Sequence, residues 1–231
     1  MINKLGYVIK YIINHIVDFP LTVYFNYRVL PWKQALKLPI WISHNTKFSG
    51  IRKNVIKING HCSFAMIQYG LWGINGVSNT RKGYIGFGPE IDNLLIFNGP
   101  ARFGTGTYIS VDKGAKVDIG ENFSANNNLM IRSHYKIRFG KNVMIGWDVS
   151  IMDSDNHELY VNNIKKKNLA SISIGNHVWI AAKVDILKGT EILDGSVVGY
   201  RSLVTKRFGE KNVLLIGSPA KIASRNVRWD Y

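Results

Sequence analysis

Six β-branched residues, Ile174, Ile180, Ile186, Ile192, Val198 and Val204, stand at every sixth position of one unbroken stretch. Four places after each of the first five come Val178, Val184, Thr190, Ser196 and Ser202, all small or slender. The residues two places after the ladder positions, among them Asn176, Lys188, Asp194 and Lys206, are mostly polar, so the stretch is not one long alternating strand. An α-helix would repeat every 3.6 residues and a single strand every two. A period of six with one branched apolar residue per unit is met by a short strand and a turn, repeated. Gly189 and Gly195 fall where such turns need a permissive backbone. Stacking the repeats buries a continuous column of Ile and Val, which makes the chain mainly β, a parallel β-helix of hexapeptide type.

The same period runs through Phe139, Ile145 and Ile151, with Val143 and Val149 four places on. A third set, Ile119, Ala125 and Ile131 with Phe123, Leu129 and Tyr135, is out of phase by two residues, which a small insertion near Ile137 explains. Residues 84–111 have the right composition but a looser period. The ladder is expected over residues 84–208, within a β-helix domain of residues 61–216. An extension of residues 1–60 precedes it and a tail of residues 217–231 follows.

With 231 residues, 46% of them hydrophobic, the chain can bury one sizeable core and is not disordered. The lone cysteine, Cys62, reads as a buried apolar filler and points to a reducing compartment. A net charge of +15 favours anionic partners. Lys4, Lys10, Arg28, Lys33, Lys37, Lys47, Arg52, Lys53 and Lys57 face the single acid Asp18 in the extension. There Leu5, Val8, Ile9, Ile12, Ile13, Ile16 and Val17 share one helical face. Lys10, His15, Asp18 and Pro20 interrupt the stretch too early for a membrane span, and no small-residue cleavage site follows. Two readings stand: a helix packed on its own domain, or a basic amphipathic segment lying on an anionic membrane surface. No nucleic-acid-binding module is recognisable, so nucleic acid is not an expected partner.

The ladder breaks once. After Ile151 the next position holds His157, flanked by Asp153, Asp155 and Glu158, and the period resumes only at Ile172–Ile174. Residues 157–171 therefore leave the solenoid as an excursion loop, and loops on rigid scaffolds commonly carry chemistry. A neutral imidazole accepts a proton from a hydroxyl near pH 7, and a carboxylate can orient it. A solvated loop histidine is the alternative.

The run "ISIGNHVWIAAKVDILKGTEILDGSVVGYRSLVTKR", with "IGSPAKI" after it, resembles the hexapeptide-repeat acyltransferases, and most closely the bacterial polysaccharide and sugar O-acetyltransferases. The resemblance implies a left-handed β-helix, an acetyl-CoA donor, a homotrimer and a glycan acceptor. It also implies catalysis at an Asp-x-Asp-x-His run, matched by Asp153, Asp155 and His157, with His157 as general base. The donor would bind along the coil surface at Ala181 and Ala182 in "WIAA" and at Gly199 and Tyr200 in "GYRS". Trp179 follows the same pattern, and Lys206, Arg207 and Lys221 match basic positions near the CoA phosphates. The family usually has Gly-Ala at both corner pairs. Ala181 and Tyr200 depart from that, and Tyr200 either narrows the channel or points outward to stack on adenine.

The function so implied is transfer of an acetyl group to a sugar hydroxyl of a bacterial surface polysaccharide or its lipid-linked precursor. A small acceptor (free sugar, amino sugar or antibiotic) and a non-catalytic β-helix scaffold are the alternatives. The expected location is the cytoplasm, with peripheral contact at the inner face of the cytoplasmic membrane. His134 and His177 lie on coils, as solvated corners or near a neighbour's site. No histidine pair has the spacing of a zinc site, so no metal is expected.

Overall fold

The computed structural model describes residues 4–71 and 82–230, with the backbone alone described for residues 4–14. The expected apolar face from Leu5 to Ile13 thus lies outside the described side chains. Two helices come first, α1 (Lys4–Val29) and α2 (Trp32–Ala35). Short strands then wind around a three-sided prism. The first turn is β1 (Ile40–Ile42), β2 (Thr46–Ser49) and β3 (Ile56–Ile58), and the second is β4 (Ile67–Leu71), β5 (Gly83–Phe87) and β6 (Leu94–Phe97). β7 (Ala101–Gly104), β8 (Tyr108–Val111) and β9 (Lys116–Ile119) follow, then β10 (Phe123–Ala125), β11 (Met130–Ser133) and β12 (Lys136–Phe139).

The next turn starts with β13 (Met144–Ile145) and β14 (Ser150–Met152). An excursion with β15 (Tyr160–Val161) and β16 (Ile164–Lys165) interrupts it, and β17 (Ile172–Ile174) closes it. β18 (Trp179–Ile180), β19 (Asp185–Leu187) and β20 (Glu191–Ile192) precede β21 (Val197–Val198) and β22 (Leu203–Val204). A hairpin of β23 (Val213–Gly217) and β24 (Ala220–Arg225) ends the fold. The first sheet runs β1-β4-β7-β10-β13-β18-β21-β23-β24, the second β2-β5-β8-β11-β14-β19-β22, and the third β3-β6-β9-β12-β17-β20.

Register accounts for the period of six. Ile145 pairs with Ile180 and Ile180 with Val198, Ile151 with Ile186 and Ile186 with Val204, and Ile174 with Ile192. All are buried, as are Val178, Val184, Thr190, Ser196 and Ser202. The hydroxyl of Thr190 has its one proton within reach of two carbonyls, Leu187 (2.7 Å) and Val204 (3.1 Å), so its burial leaves no orphan. Gly189 and Gly195 turn the chain at φ of +80° and +69°. Cys62 is buried in the core, and burial raises the pKa of its thiol.

Two features differ from the sequence expectation. The phase shift lies in residues 133–135, a lengthened corner between β11 and β12, so Tyr135 is exposed rather than part of the inward set. The first turn also begins at Ile40, inside the segment read as an extension. β1, β2 and β3 pair in register with β4, β5 and β6. Their longer corners hide the period.

Helices α1 and α2 close the open end. The Asn26 side chain accepts from the Ile40 N–H (3.1 Å) and donates to the Ile40 carbonyl (2.7 Å). One helical turn earlier, the Thr22 hydroxyl accepts from the Ile42 N–H (3.1 Å) and donates to the Ile42 carbonyl (3.3 Å). These two side chains stand in for a missing strand along the edge of β1, which would otherwise invite foreign pairing. Phe25 packs on Phe48 of the second sheet, ring centroids 5.3 Å apart, and Gln34 donates to the Ile58 carbonyl of the third (3.0 Å). The cap therefore touches all three sheets. Asp18, buried, accepts from the His44 N–H (2.7 Å) and pairs with its imidazole (2.6 Å).

Asn26→Leu keeps the side-chain volume but orphans two buried backbone groups of Ile40, each worth about 1–3 kcal/mol. Urea unfolding should show a stability loss of at least about 2 kcal/mol. An unchanged midpoint would mean that the cap does not seal this edge.

Candidate active site

At Met152 the chain leaves the prism at the edge between the second and third sheets, forms the β15–β16 hairpin, and returns at Ile172. Asp153, at the exit, is fully buried. Its carboxylate accepts from the Ser133 hydroxyl (2.7 Å), the His134 N–H (2.8 Å) and the Tyr135 N–H (3.1 Å). A buried charge persists where hydrogen bonds replace its hydration, and here they tie the lengthened corner below to the root of the loop. Asp155 pairs with Lys188 at 2.8 Å. Glu158 binds Lys165 and accepts from the Tyr160 hydroxyl (2.9 Å); Lys165, then Tyr160, hold its pKa below the ordinary carboxylate value.

His157 is exposed and has no hydrogen-bond or ion-pair partner among the described residues. The three acids expected to flank it are all engaged elsewhere. The structure brings neither Asp153 nor Asp155 to the imidazole; Asp153 holds a turn and Asp155 holds a lysine.

The other two histidines are not solvated corners. His134 is buried, 3.8 Å from the Asp112 carboxylate, and its Nδ1 has no partner. Burial, followed by the charge of Lys113, holds its pKa below the usual histidine value. Together with Arg132, Met152, Ser154 and Asn156 it lines a cavity of about 20 Å³ beside the loop root. His177 stacks on Trp229 with centroids 4.2 Å apart and planes 7° apart, and the Trp229 indole donates to the His177 carbonyl (3.0 Å).

The donor-binding candidates lie at the edge between the first and second sheets. The N–H groups of Ala181 and Gly199 are used up, donating to the carbonyls of Val198 (2.9 Å) and Leu215 (2.8 Å) in the next turn. The N–H groups of Ala182 and Tyr200, one residue further, do not enter this ladder between turns. Trp147 occupies the same offset after Ile145 that Ala182 has after Ile180 and Tyr200 after Val198. Sequence reasoning passed over Trp147, although that shared offset marks it. The indole of Trp147 and the phenol of Tyr200 are both exposed, on either side of the buried Ala182.

Tyr200 points outward, with the Arg201 guanidinium 5.4 Å from its ring centroid. Backbone approach is tight here, since a Cβ on Gly146 would lie 2.6 Å from the Ala182 nitrogen. Trp179, partly exposed on β18, packs 6.1 Å from Trp229. Lys206, Arg207 and Lys221 are exposed but not grouped: Lys221 is on β24, paired with Ile216, whereas Lys206 and Arg207 lie past β22, at the next edge. Within one chain the whole second sheet separates His157 from Ala182 and Tyr200.

No protein-family model matches the chain. It is 38% identical over 112 residues to galactoside O-acetyltransferase of Escherichia coli K12, covering 47% of this chain and 54% of that enzyme, so the match spans about half of that relative. It is 30% identical over 165 residues to polysialic acid O-acetyltransferase of Neisseria meningitidis, covering 66% of this chain and 77% of that one. Among solved structures, the polysialic-acid-specific acetyltransferase NeuO superposes with a TM-score of 0.63 at 23% identity, covering 83% of this chain and 72% of that one. Its fold is a left-handed parallel β-helix, which is the fold found here.

Two outcomes follow from this geometry. Unfolded chains protonate histidine near pH 6.5, but folded His134 resists the proton, so the unfolded state binds more protons below that pH. Stability should be full above about pH 6.5 and fall as pH drops below it. His134→Gln should flatten that acid limb in urea titrations; an identical limb would locate the effect elsewhere. Asp153→Asn turns an amide towards N–H donors, so it should lose about 1.5–3 kcal/mol of stability and speed proteolysis within residues 155–171. Full stability with lost turnover would instead make Asp153 a partner of His157.

Proposed function

This chain belongs to the hexapeptide-repeat, left-handed β-helix acetyltransferases, and from that membership we propose that it is an O-acetyltransferase whose acceptor is a sugar hydroxyl. The observation that carries the reading is His157, an exposed imidazole without a partner among the described residues, in a loop whose root is anchored to a rigid prism. An acyl-CoA, acetyl-CoA in the simplest case, supplies the acyl group as an activated thioester. His157 takes the proton of the acceptor hydroxyl as its oxygen attacks the thioester carbonyl, and returns that proton to the departing thiolate. The N–H groups of Ala182 and Tyr200, unused by the ladder between turns, suit the amide-rich pantetheine arm and the negative charge that develops on the carbonyl oxygen. The exposed rings of Trp147 and Tyr200 offer stacking faces, and Trp179 adds a third aromatic surface near the same sheet.

Because His157 and the Ala182–Tyr200 edge are far apart in one chain, a complete site requires the loop of one protomer against the edge of its neighbour. A closed ring, a homotrimer as the resemblance implies, satisfies every protomer at once. The relatives named for galactoside and polysialic acid support a glycan acceptor, which we take to be a bacterial surface polysaccharide or its lipid-linked precursor. Lys206, Arg207 and Lys221 remain available for the phosphates of the donor.

His157→Ala should leave the thermal midpoint unchanged and lower kcat for CoA-thiol release by ~10²–10⁴, the usual worth of a positioned general base. Near-normal turnover by the folded variant would remove His157 from the chemistry.

A further inference from the structure

The cap has two faces, and the fold uses only one. Asp18, Thr22, Phe25, Asn26 and Val29 turn towards the solenoid and are buried. On the far side of α1, and continuing over α2, Ile16 is 67% exposed, Trp32 62% and Leu36 59%, with Val17 and Tyr27 beside them, while Tyr24, 54% exposed, also stacks one face on Phe48 of β2 with ring centroids 6.2 Å apart. A soluble surface seldom leaves so many large apolar side chains together without a partner. Arg28, Lys33 and Lys37 are exposed among them, and Lys33 lies 5.9 Å from the Trp32 ring. Among the described residues no acid pairs with these cations, and Asp18, the one acid of residues 1–60, is buried against His44. Aromatic side chains at one level, interleaved with unneutralised cations, match the region where lipid headgroups meet acyl chains.

We infer that this outer face of the cap docks the enzyme on an anionic bilayer, with Tyr24, Tyr27 and Trp32 at headgroup depth and Arg28, Lys33 and Lys37 on the lipid phosphates. The docking itself does not depend on the acyl-transfer reading. Because the cap crosses the end of the prism, the solenoid axis then stands away from the membrane and the strands lie parallel to it. The His157 loop leaves the turn of β13 and β14, four turns above β1 in the first sheet. At about 4.8 Å per turn that is roughly 20 Å, and the cap helix adds about 10 Å more. If the acyl-transfer reading also holds, the reacting hydroxyl belongs to a lipid-linked glycan several sugars out from its anchor, not to the first sugar on the lipid.

The test is co-sedimentation of the full chain with vesicles of phosphatidylcholine alone or with phosphatidylglycerol. Binding to the anionic vesicles alone, weakening at least tenfold between 50 mM and 500 mM salt, is expected from screening. Tyr27→Ser with Trp32→Ser and Leu36→Ser should abolish it. Arg28→Glu with Lys33→Glu and Lys37→Glu should weaken it by more than tenfold, since each cation near such a surface is worth about fivefold. Both variants should keep the wild-type thermal midpoint and turnover on a soluble acceptor, so loss of docking and loss of catalysis are read separately. No binding at low salt, equal binding to neutral vesicles, or unchanged binding by the aromatic variant would overturn the inference. A lower molecular mass of the aromatic variant in light scattering would also overturn it, by assigning the face to a second copy of this chain.

Discussion

Direct backbone pairing between successive turns governs everything else in the molecule. Neighbouring strands lie about 4.8 Å apart, so a residue too many cannot be absorbed within a sheet and must be expelled at a corner. The inward positions are filled by branched or aromatic side chains, one on most strands of the later turns and two on strands of the third sheet such as β12 and β17, and Phe103, Phe123 and Phe139 pack ring on ring at 5.1–5.2 Å. Where the backbones come closest only glycine fits: a Cβ on Gly140 would lie 2.6 Å from the backbone of Gly175. Departures at residues 88–93, 112–115, 133–135 and 153–171 all leave by one edge, between the second and third sheets. That edge takes up several insertions without disturbing the ladder, as the corner at residues 59–66 does between the third and first sheets, and it carries His157.

The legible part of the sequence is the part under this constraint. From Phe139 onwards nearly every side of the prism uses six residues, so the period could be read directly and the break at His157 located. The first turn obeys the same pairing rule, but long corners between β3 and β4 and between β2 and β3 dissolve the spacing, and Ile40–Ile58 looked like an extension. Asn26 and Thr22 were illegible for another reason. Their role depends on an edge strand brought beneath them by the fold, and polar residues within an apparently amphipathic helix carry no mark of it. Tyr135 fitted a numerical series and was expelled by the two extra residues beside it.

The acidic run shows how a motif can mix duties. Asp153, Asp155 and Glu158 surround His157 in sequence, which suggests a cluster of helpers, yet loop geometry sends each to a different donor. Asp153 does the most for the site while touching the imidazole least: by holding residues 133–135 from within, it fixes where the loop begins. Breaking a buried carboxylate free of three donors costs more than any exposed pair on the hairpin returns, so the root is rigid while the hairpin is held by weak surface contacts. A rigid root suits the general base proposed at His157, because an error near 1 Å in the position of such a group is enough to cost most of its value.

The separation of His157 from the Ala182–Tyr200 edge and the placement of the cap are linked by the prism itself. A solenoid distributes its surface along an axis, so functions segregate by edge and by end rather than converging in one cleft. In the proposed ring the lateral edges would face neighbouring protomers, whereas the first end is closed by α1 and α2. Sealing that end and docking it to a bilayer are therefore not rival uses of residues 15–37. The seal consumes Thr22, Phe25, Asn26 and Val29, which point inwards, and borrows one side of the Tyr24 ring against Phe48, whereas Trp32, Leu36 and the cations around them take no part in it. Removing the whole segment would open the edge of β1 and erase both functions at once, so only substitutions confined to the outer face can tell one from the other.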